Sequence, residues 1–254
     1  MRTAPCERLE ASPNSSLEKW ADDVSRTVLI TGASRGLGLR LAAEMAVRGD
    51  VVFGCGRSKA PADISFRYIE ADVRDEKSVK ALFSTLRKEA DGLDVLINNA
   101  GLADAKSLLL SRAEDFAGIF AANVTGAAIM SREAAKMMKR RGGAIINISS
   151  IHVPLASVGS GAYGASKAAL EQLSRVMAHE LASDSISVNS LGLSYVEGAG
   201  MAEAQSKKAV EAASSRLARP GLIAVDEVLH AVDFLSSPAA RNITGETLYF
   251  GGPL

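Results

Sequence analysis

Three side chains in the second half of the chain combine types that can move a proton: Ser150, Tyr163 and Lys167. Tyr163 and Lys167 are four residues apart in a stretch of helical periodicity, which puts them on one face, one turn apart. An ammonium beside a phenol favours the phenolate. It draws the tyrosine from its ordinary pKa of about 10 toward the range of a general acid for a carbonyl oxygen. Ser150 closes the apolar run 144–149, where its hydroxyl can hydrogen-bond the same oxygen. An isolated Tyr-x-x-x-Lys is most often a surface pair on an amphipathic helix; the serine at a strand end gives this one chemical meaning.

A second constellation is Thr31-Gly32-Ala33-Ser34-Arg35-Gly36-Leu37-Gly38, between an apolar run at 27–30 and a helical pattern at 37–48. Unpaired N–H groups at the positive end of a helix dipole can hold a pyrophosphate there. Gly32 allows the tight turn, Gly36 the approach of a phosphate-bearing ligand, and Gly38 the close packing of helix on strand. The spacing is G-x-x-x-G-x-G rather than the commoner G-x-G-x-x-G. An acid closing the next strand would grip the ribose diol of NAD, but that strand ends Gly56-Arg57. With Arg35 in the turn, the sequence favours NADP(H) over NAD(H).

The elements that must position these groups alternate. Strands are expected at 27–30, 51–55, 66–70, 95–98, 144–149 and 186–191, and helices at 37–48, 77–89, 112–139 and 162–182. Short apolar strands separated by helices require crossovers, hence an α/β fold: a Rossmann-type doubly wound parallel sheet with helices on both faces. Residues 57–65, with Pro61, are too few for a crossover helix and read as a bare loop, and Ser111 and Glu114 read as a capping box for the long helix. Residues 1–25 lack periodicity and read as a flexible extension in which Leu17 and Trp20 could pin a turn; 26–254 read as one domain.

Composition bounds the partners. The chain has 254 residues, with 29 basic and 29 acidic side chains, so no long-range field would gather nucleic acid or an anionic membrane surface. Cys6 and Cys55 are too few for a disulfide framework and lack metal-ligand company; no metal is expected, and Cys55 reads as a small buried hydrophobe. His152, His179 and His230 show no ligand spacing and read as structural or solvated, with His152 a possible liner of the substrate mouth. Without a signal-like or membrane-spanning apolar run, a cytoplasmic protein is expected.

Together, the Gly32/Gly36/Gly38 turn, Asp72, Asn98-Asn99-Ala100-Gly101, Asn123, Ser150 and Tyr163-Gly-Ala-Ser-Lys167 resemble the short-chain dehydrogenase/reductases over about 27–252. Ser107-Leu108-Leu109-Leu110, Met137-Met138-Lys139-Arg140 and 243–248 most resemble the β-ketoacyl-acyl-carrier-protein reductases. The resemblance implies that Tyr163 exchanges the proton, Ser150 orients the substrate oxygen, and Lys167 binds the nicotinamide ribose and lowers the tyrosine pKa. It implies that Asn123 holds a break in its helix and a water of the proton relay. Gly32, Ser34, Arg35, Gly36, Leu37, Gly38 and Arg57 would hold the phosphates. Asp72 and Val73 would contact adenine, Asn99, Ala100 and Gly101 would line the adenosine ribose, and Val196 would offer its backbone to the carboxamide. A homotetramer, or at least a dimer, is implied, consistent with Ala and Met on several faces of the long helices.

The departures fall on the substrate side. Leu193-Ser194 stand where the family usually has Pro-Gly, Gly198 replaces a threonine, and Val153-Pro154 follow Ser150 where a glycine is expected. Of two arginines that dock an acidic carrier, Arg141 matches one, but Asp184 takes the other position. Residues 198–217 read as a lid. The expected activity is NADPH-dependent reduction of a ketone, a β-ketoacyl thioester or a similar compound. The alternatives are an NAD(P)-dependent dehydrogenase of a secondary alcohol, sugar or steroid, and a non-catalytic dinucleotide sensor.

Overall fold

The computed structural model describes residues 25–199 and 207–253. Seven strands, β1 (Thr27–Thr31), β2 (Val51–Gly56), β3 (Arg67–Glu70), β4 (Val95–Asn98), β5 (Gly143–Ser150), β6 (Ile186–Leu193) and β7 (Thr247–Tyr249), form one sheet in the order β3-β2-β1-β4-β5-β6-β7. Every pairing is parallel. The helices are α1 (Gly36–Val47), α2 (Glu76–Glu89), α3 (Ala113–Phe120), α4 (Ala127–Met138), the single turn α5 (His152–Leu155), α6 (Gly161–Leu181), α7 (Lys207–Ser214) and α8 (Val225–Leu235).

Side chains alternate across a strand, so the apolar runs supply both faces at once. Val28 and Ile30 pack with Leu41, Met45, Val228 and Val232 of α1 and α8. Leu29 points the other way, into Phe53, Phe83, Leu86 and Met130 beneath α2 and α4. The order reverses between β1 and β4, which opens a crevice at the carboxyl ends of the strands, where α/β sheets take ligands. The glycine turn leaves β1 on one side of it, and Ser150 ends β5 on the other.

The doubly wound fold is as expected, with three local corrections. Six strands were expected; the seventh, Thr247–Tyr249, is three residues long and therefore shows no legible alternation. Helix α8 also lies beyond the periodic pattern. The helix over 112–139 carries a break at Asn123, as the resemblance implied: a π-helical segment, Ala121–Gly126, separates α3 from α4. The capping box is shifted by one residue. Ser111 donates its hydroxyl to the Ser107 carbonyl (2.9 Å), so the helix starts later, with Asp115 accepting from the Arg112 N–H (2.8 Å). The 57–65 crossover contains no helix, as expected. The 1–25 extension, apart from Ser25, lies outside the described residues, as do 200–206 of the expected lid.

Candidate active site

After β1 the chain turns through two left-handed residues, Gly32 (φ +69°) and Gly36 (φ +58°). Space also excludes side chains. A Cβ on Gly32 would lie 2.9 Å from the Ala100 Cα, and one on Gly38 2.4 Å from Asn99 Nδ2 and 2.5 Å from the Gly32 carbonyl oxygen. Asn99 braces this turn: its Nδ2 donates to the carbonyls of Thr31 (2.9 Å) and Gly32 (3.3 Å). Thr31 returns the brace, its Oγ1 accepting from the N–H groups of Asn99 (3.0 Å) and Ala100 (2.9 Å). Helix α1 then starts at an extended Arg35 with no side-chain cap and no acid in its first turn, which leaves its leading N–H groups for an anion.

Arg57 follows β2 and, with Glu70, Ala71, Asp72 and Ser78, lines a cavity of about 310 Å³. The Asp72 carboxylate is clasped by the Arg74 guanidinium (2.7 Å at the shortest), and this bond above all holds it below the usual carboxylate range. The Val73 side chain packs beneath the π-helical segment, where a Cβ on Gly126 would come within 2.8 Å of it.

The proton-transfer candidates meet at the ends of β5 and α6. Ser150, Tyr163, Lys167 and Asn123 are all buried. Ser150 hydrogen-bonds the Tyr163 phenol and accepts from the His152 N–H (3.2 Å). Lys167 Nζ donates to the Ile148 carbonyl (2.6 Å) and lies 5.8 Å from the centre of the Tyr163 ring. Asn123 is held on both polar atoms: Oδ1 accepts from the Leu102 N–H (2.7 Å), and Nδ2 donates to the Leu102 carbonyl (2.9 Å) and to Ser166 Oγ (2.9 Å). Its side chain thus ties the π-helical segment to α6 and to the loop after β4.

Burial dominates the electrostatics of the free site. Burial pushes the Tyr163 phenol up to about 12, while the Ser150 hydrogen bond pulls the other way. Burial also lowers the Lys167 ammonium to about 8, against an opposing pull from Glu171. Desolvation penalises the charged form of each and is the largest cause of both shifts, so the phenol keeps its proton at neutral pH.

The model of the short chain dehydrogenase family matches residues 26–210. The chain belongs to the short-chain dehydrogenases. It is therefore an oxidoreductase, and its relatives bear this out. The 3-oxoacyl-acyl-carrier-protein reductase FabG of Vibrio cholerae is 32% identical over 235 residues, covering 89% of this chain and 96% of the relative. The Staphylococcus aureus FabG is 30% identical, covering 90% and 98%. Among solved structures, a variant of actinorhodin polyketide ketoreductase with NADPH superposes with a TM-score of 0.81 at 26% identity, over 90% of this chain and 96% of that one.

A short-chain dehydrogenase takes a nicotinamide dinucleotide, and the residues present fit one. Cβ atoms have no room at Gly32 or Gly38, the start of α1 has no side-chain cap, and Gly101 packs within reach of both Asn123 and Lys167. Val196 bridges to Ile223 through its neighbours (Glu197 N–H to Ile223, 2.9 Å; Ile223 N–H to Tyr195, 2.9 Å), which turns its own N–H away from that partner.

The rim of this short-chain dehydrogenase is less settled. A narrow recess beside Ser150 is lined by Ile151, His152, Leu193, Ser194 and Tyr195. Leu193 ends β6, and its carbonyl accepts from the Ile151 N–H (3.0 Å). Ser194 Oγ and His152 Nδ1 are both buried without a hydrogen-bond partner. The His152 ring meets Tyr163 edge-on at 5.8 Å, and burial lowers its pKa, favouring the neutral form. Arg141 is paired with Asp91, and Asp184 lies in the turn after α6. Reading the sequence missed Thr31 and Ser166, whose partners lie 68 and 43 residues away; local spacing carries no sign of them.

Proposed function

We propose that the protein reduces a ketone to a secondary alcohol with NADPH, its substrate a β-ketoacyl thioester or a close analogue. The observation that carries this reading is the buried convergence of Ser150, Tyr163 and Lys167 at the carboxyl edge of the sheet. The 3-oxoacyl reductases and the polyketide ketoreductase among its relatives support the substrate class. NADPH is favoured because Arg57 rather than an acid follows β2, while Arg35 stands exposed at the start of α1. We extend the proposal to residues 26–254 working as one domain in a cytoplasmic homotetramer.

The bound dinucleotide would supply the hydride. The chain supplies the rest. Ser150 Oγ and Tyr163 Oη take hold of the ketone oxygen. As negative charge grows on that oxygen, the Tyr163 proton moves onto it, and the Ser150 hydroxyl stabilises what remains. The Lys167 cation next to the ring favours the phenolate left behind, and Tyr163 regains a proton through the Asn123 side of the site. Burial keeps bulk water from competing for the oxygen.

The test is NADPH oxidation by the purified protein with acetoacetyl thioesters, bulky cyclic ketones and keto sugars. Preferred turnover of the thioester and a loss of about 10²–10⁴-fold in kcat in Tyr163→Phe are expected. Equal rates with NADH would remove the cofactor assignment, and unchanged turnover in Tyr163→Phe would remove the mechanism.

A further inference from the structure

Helix α6 carries a buried charge that proton transfer to the ketone does not use. Glu171 is 4% exposed and stands one turn beyond Lys167 and two beyond Tyr163, on the same face. A carboxylate removed from water needs compensation, and this one has no ion-pair partner within 4 Å among the described residues. Two hydroxyls hold it instead. Ser149, next to Ser150 on β5, donates to Oε1 (2.5 Å), and Tyr249 of the edge strand β7 donates to Oε2 (2.6 Å). Both donors stabilise the ionised form. The carboxylate, carried by α6 one turn from Lys167, is thus fixed by hydroxyls from β5 and β7.

Lys167 needs that charge. Its ammonium is buried and is satisfied in the free protein by one backbone carbonyl, Ile148, which supplies a dipole rather than an anion. The other ionisable groups around the pair are Tyr163 on α6, Tyr195 after β6, Tyr249 on β7 and Arg175, one turn beyond Glu171. None of these is a carboxylic acid, and the pull that favours a charged lysine comes from Glu171.

We propose that Glu171 is a positioning residue: acting through Lys167, its carboxylate keeps that side chain an ammonium at neutral pH, with Ser149 and Tyr249 fixing it in place. The burial of the lysine and the opposing pull of the carboxylate agree with this assignment. Its catalytic meaning rests on the role proposed above for Lys167. Tyr249 and β7, too short to be legible in the sequence, thereby become the outer brace of the active site.

The experiment is a titration of the free protein labelled at the lysine ε-carbon, read by NMR, with the Lys167 signal identified by its loss in Lys167→Met. The wild-type midpoint is expected near pH 8. In Glu171→Gln it falls by about one unit or more, a tenfold change in the proton equilibrium. Glu171→Asp restores most of the shift. Tyr249→Phe removes one of the carboxylate's hydrogen bonds but keeps the charge, so its midpoint stays within about 0.3 unit of wild type. If Glu171→Gln does not fold, the triple variant Glu171→Leu/Tyr249→Phe/Ser149→Ala replaces the carboxylate and both its donors by apolar groups and takes the same measurement, with the same fall expected. A midpoint unchanged by loss of the carboxylate, or one equally lowered by Tyr249→Phe alone, overturns the proposal. In turnover, the alkaline limb of kcat for ketone reduction moves down with the midpoint. Failure of the wild type to reduce any ketone would sink the proposed function and leave the titration to decide on Glu171.

Discussion

The two sides of the crevice are built to different standards. On the dinucleotide side, Thr31, Gly32, Asn99 and Ala100 lock one another through four hydrogen bonds, and Cβ atoms have no room at Gly32 or Gly38. On the substrate side, two buried polar atoms, Ser194 Oγ and His152 Nδ1, have no partner, and the Pro-Gly usual in the family is Leu193-Ser194. A cofactor presents the same atoms at every turnover, so the turn that would hold it can be braced in advance, with only the leading N–H groups of α1 left open. A substrate rim left with unmet hydrogen-bonding capacity is less stable alone and ready to be completed by a polar ligand.

The cofactor side should therefore break hardest. Gly38→Ala drives a methyl group into Asn99 Nδ2 and the Gly32 carbonyl. Neither can retreat without opening the turn, so a stability loss of about 3 kcal/mol is expected, with at least about 10²-fold weaker NADPH binding. Thermal unfolding and calorimetric titration measure the two effects. Asn99→Ala removes only the donor to two carbonyls and should lose about 1–3 kcal/mol. Affinity for NADPH left intact in both variants would show that the crevice is not the dinucleotide site.

The same contrast explains what the sequence disclosed. Gly32, Gly36, Gly38, Ser150, Tyr163 and Lys167 are legible because their geometry is local: a turn, a strand end, a single helical period. The parallel sheet follows from alternating short apolar runs and helices. The bracing of Asn99 on Thr31, the tie from Asn123 to Ser166, and Glu171 on Tyr249 join residues 43 to 78 apart, and no periodicity announces them. The Tyr163 shift is illegible for a related reason. Its sign depends on how deeply the ring is buried, a property of the packed molecule rather than of the Lys four residues on. The misplaced capping box shows the lower limit, since a competing bond from Ser111 to Ser107 was enough to move a helix start by one residue.

The rim should respond in the opposite sense. Ser194→Ala removes a buried hydroxyl that has no partner, so the free protein should gain about 1 kcal/mol, a rise of about 2–4 °C in Tm. The same change should reduce the preference for substrates with a second oxygen near the ketone, measured as the ratio of kcat/KM for a β-keto thioester to that for a simple ketone. A fall in Tm would mean that the hydroxyl is satisfied in solution, and the contrast between the two sides would weaken.

The smallest effect separates the two sides by pH. Cys55, on β2 in the dinucleotide half, is buried, and burial pushes its thiol up to about 12. Above pH 9 the unfolded chain releases this proton while the folded one holds it, so stability falls as pH rises. Lys167, in the substrate half, works the other way. Its folded value near 8 lies below the unfolded 10.5, so between these limits the unfolded state holds more protons and stability rises with pH. The expected wild-type curve climbs by about 0.5 kcal/mol from pH 8 to 9 and then turns down between 9 and 10, where Cys55, at about 1 kcal/mol per unit, and the raised Tyr163 and Tyr249 phenols together outweigh Lys167. Cys55→Ala should keep climbing to pH 10, whereas Lys167→Met should lose the initial rise and decline above pH 9. Denaturant unfolding at half-unit steps resolves these differences against wild type. Parallel curves for the three proteins would mean that neither group is buried as described.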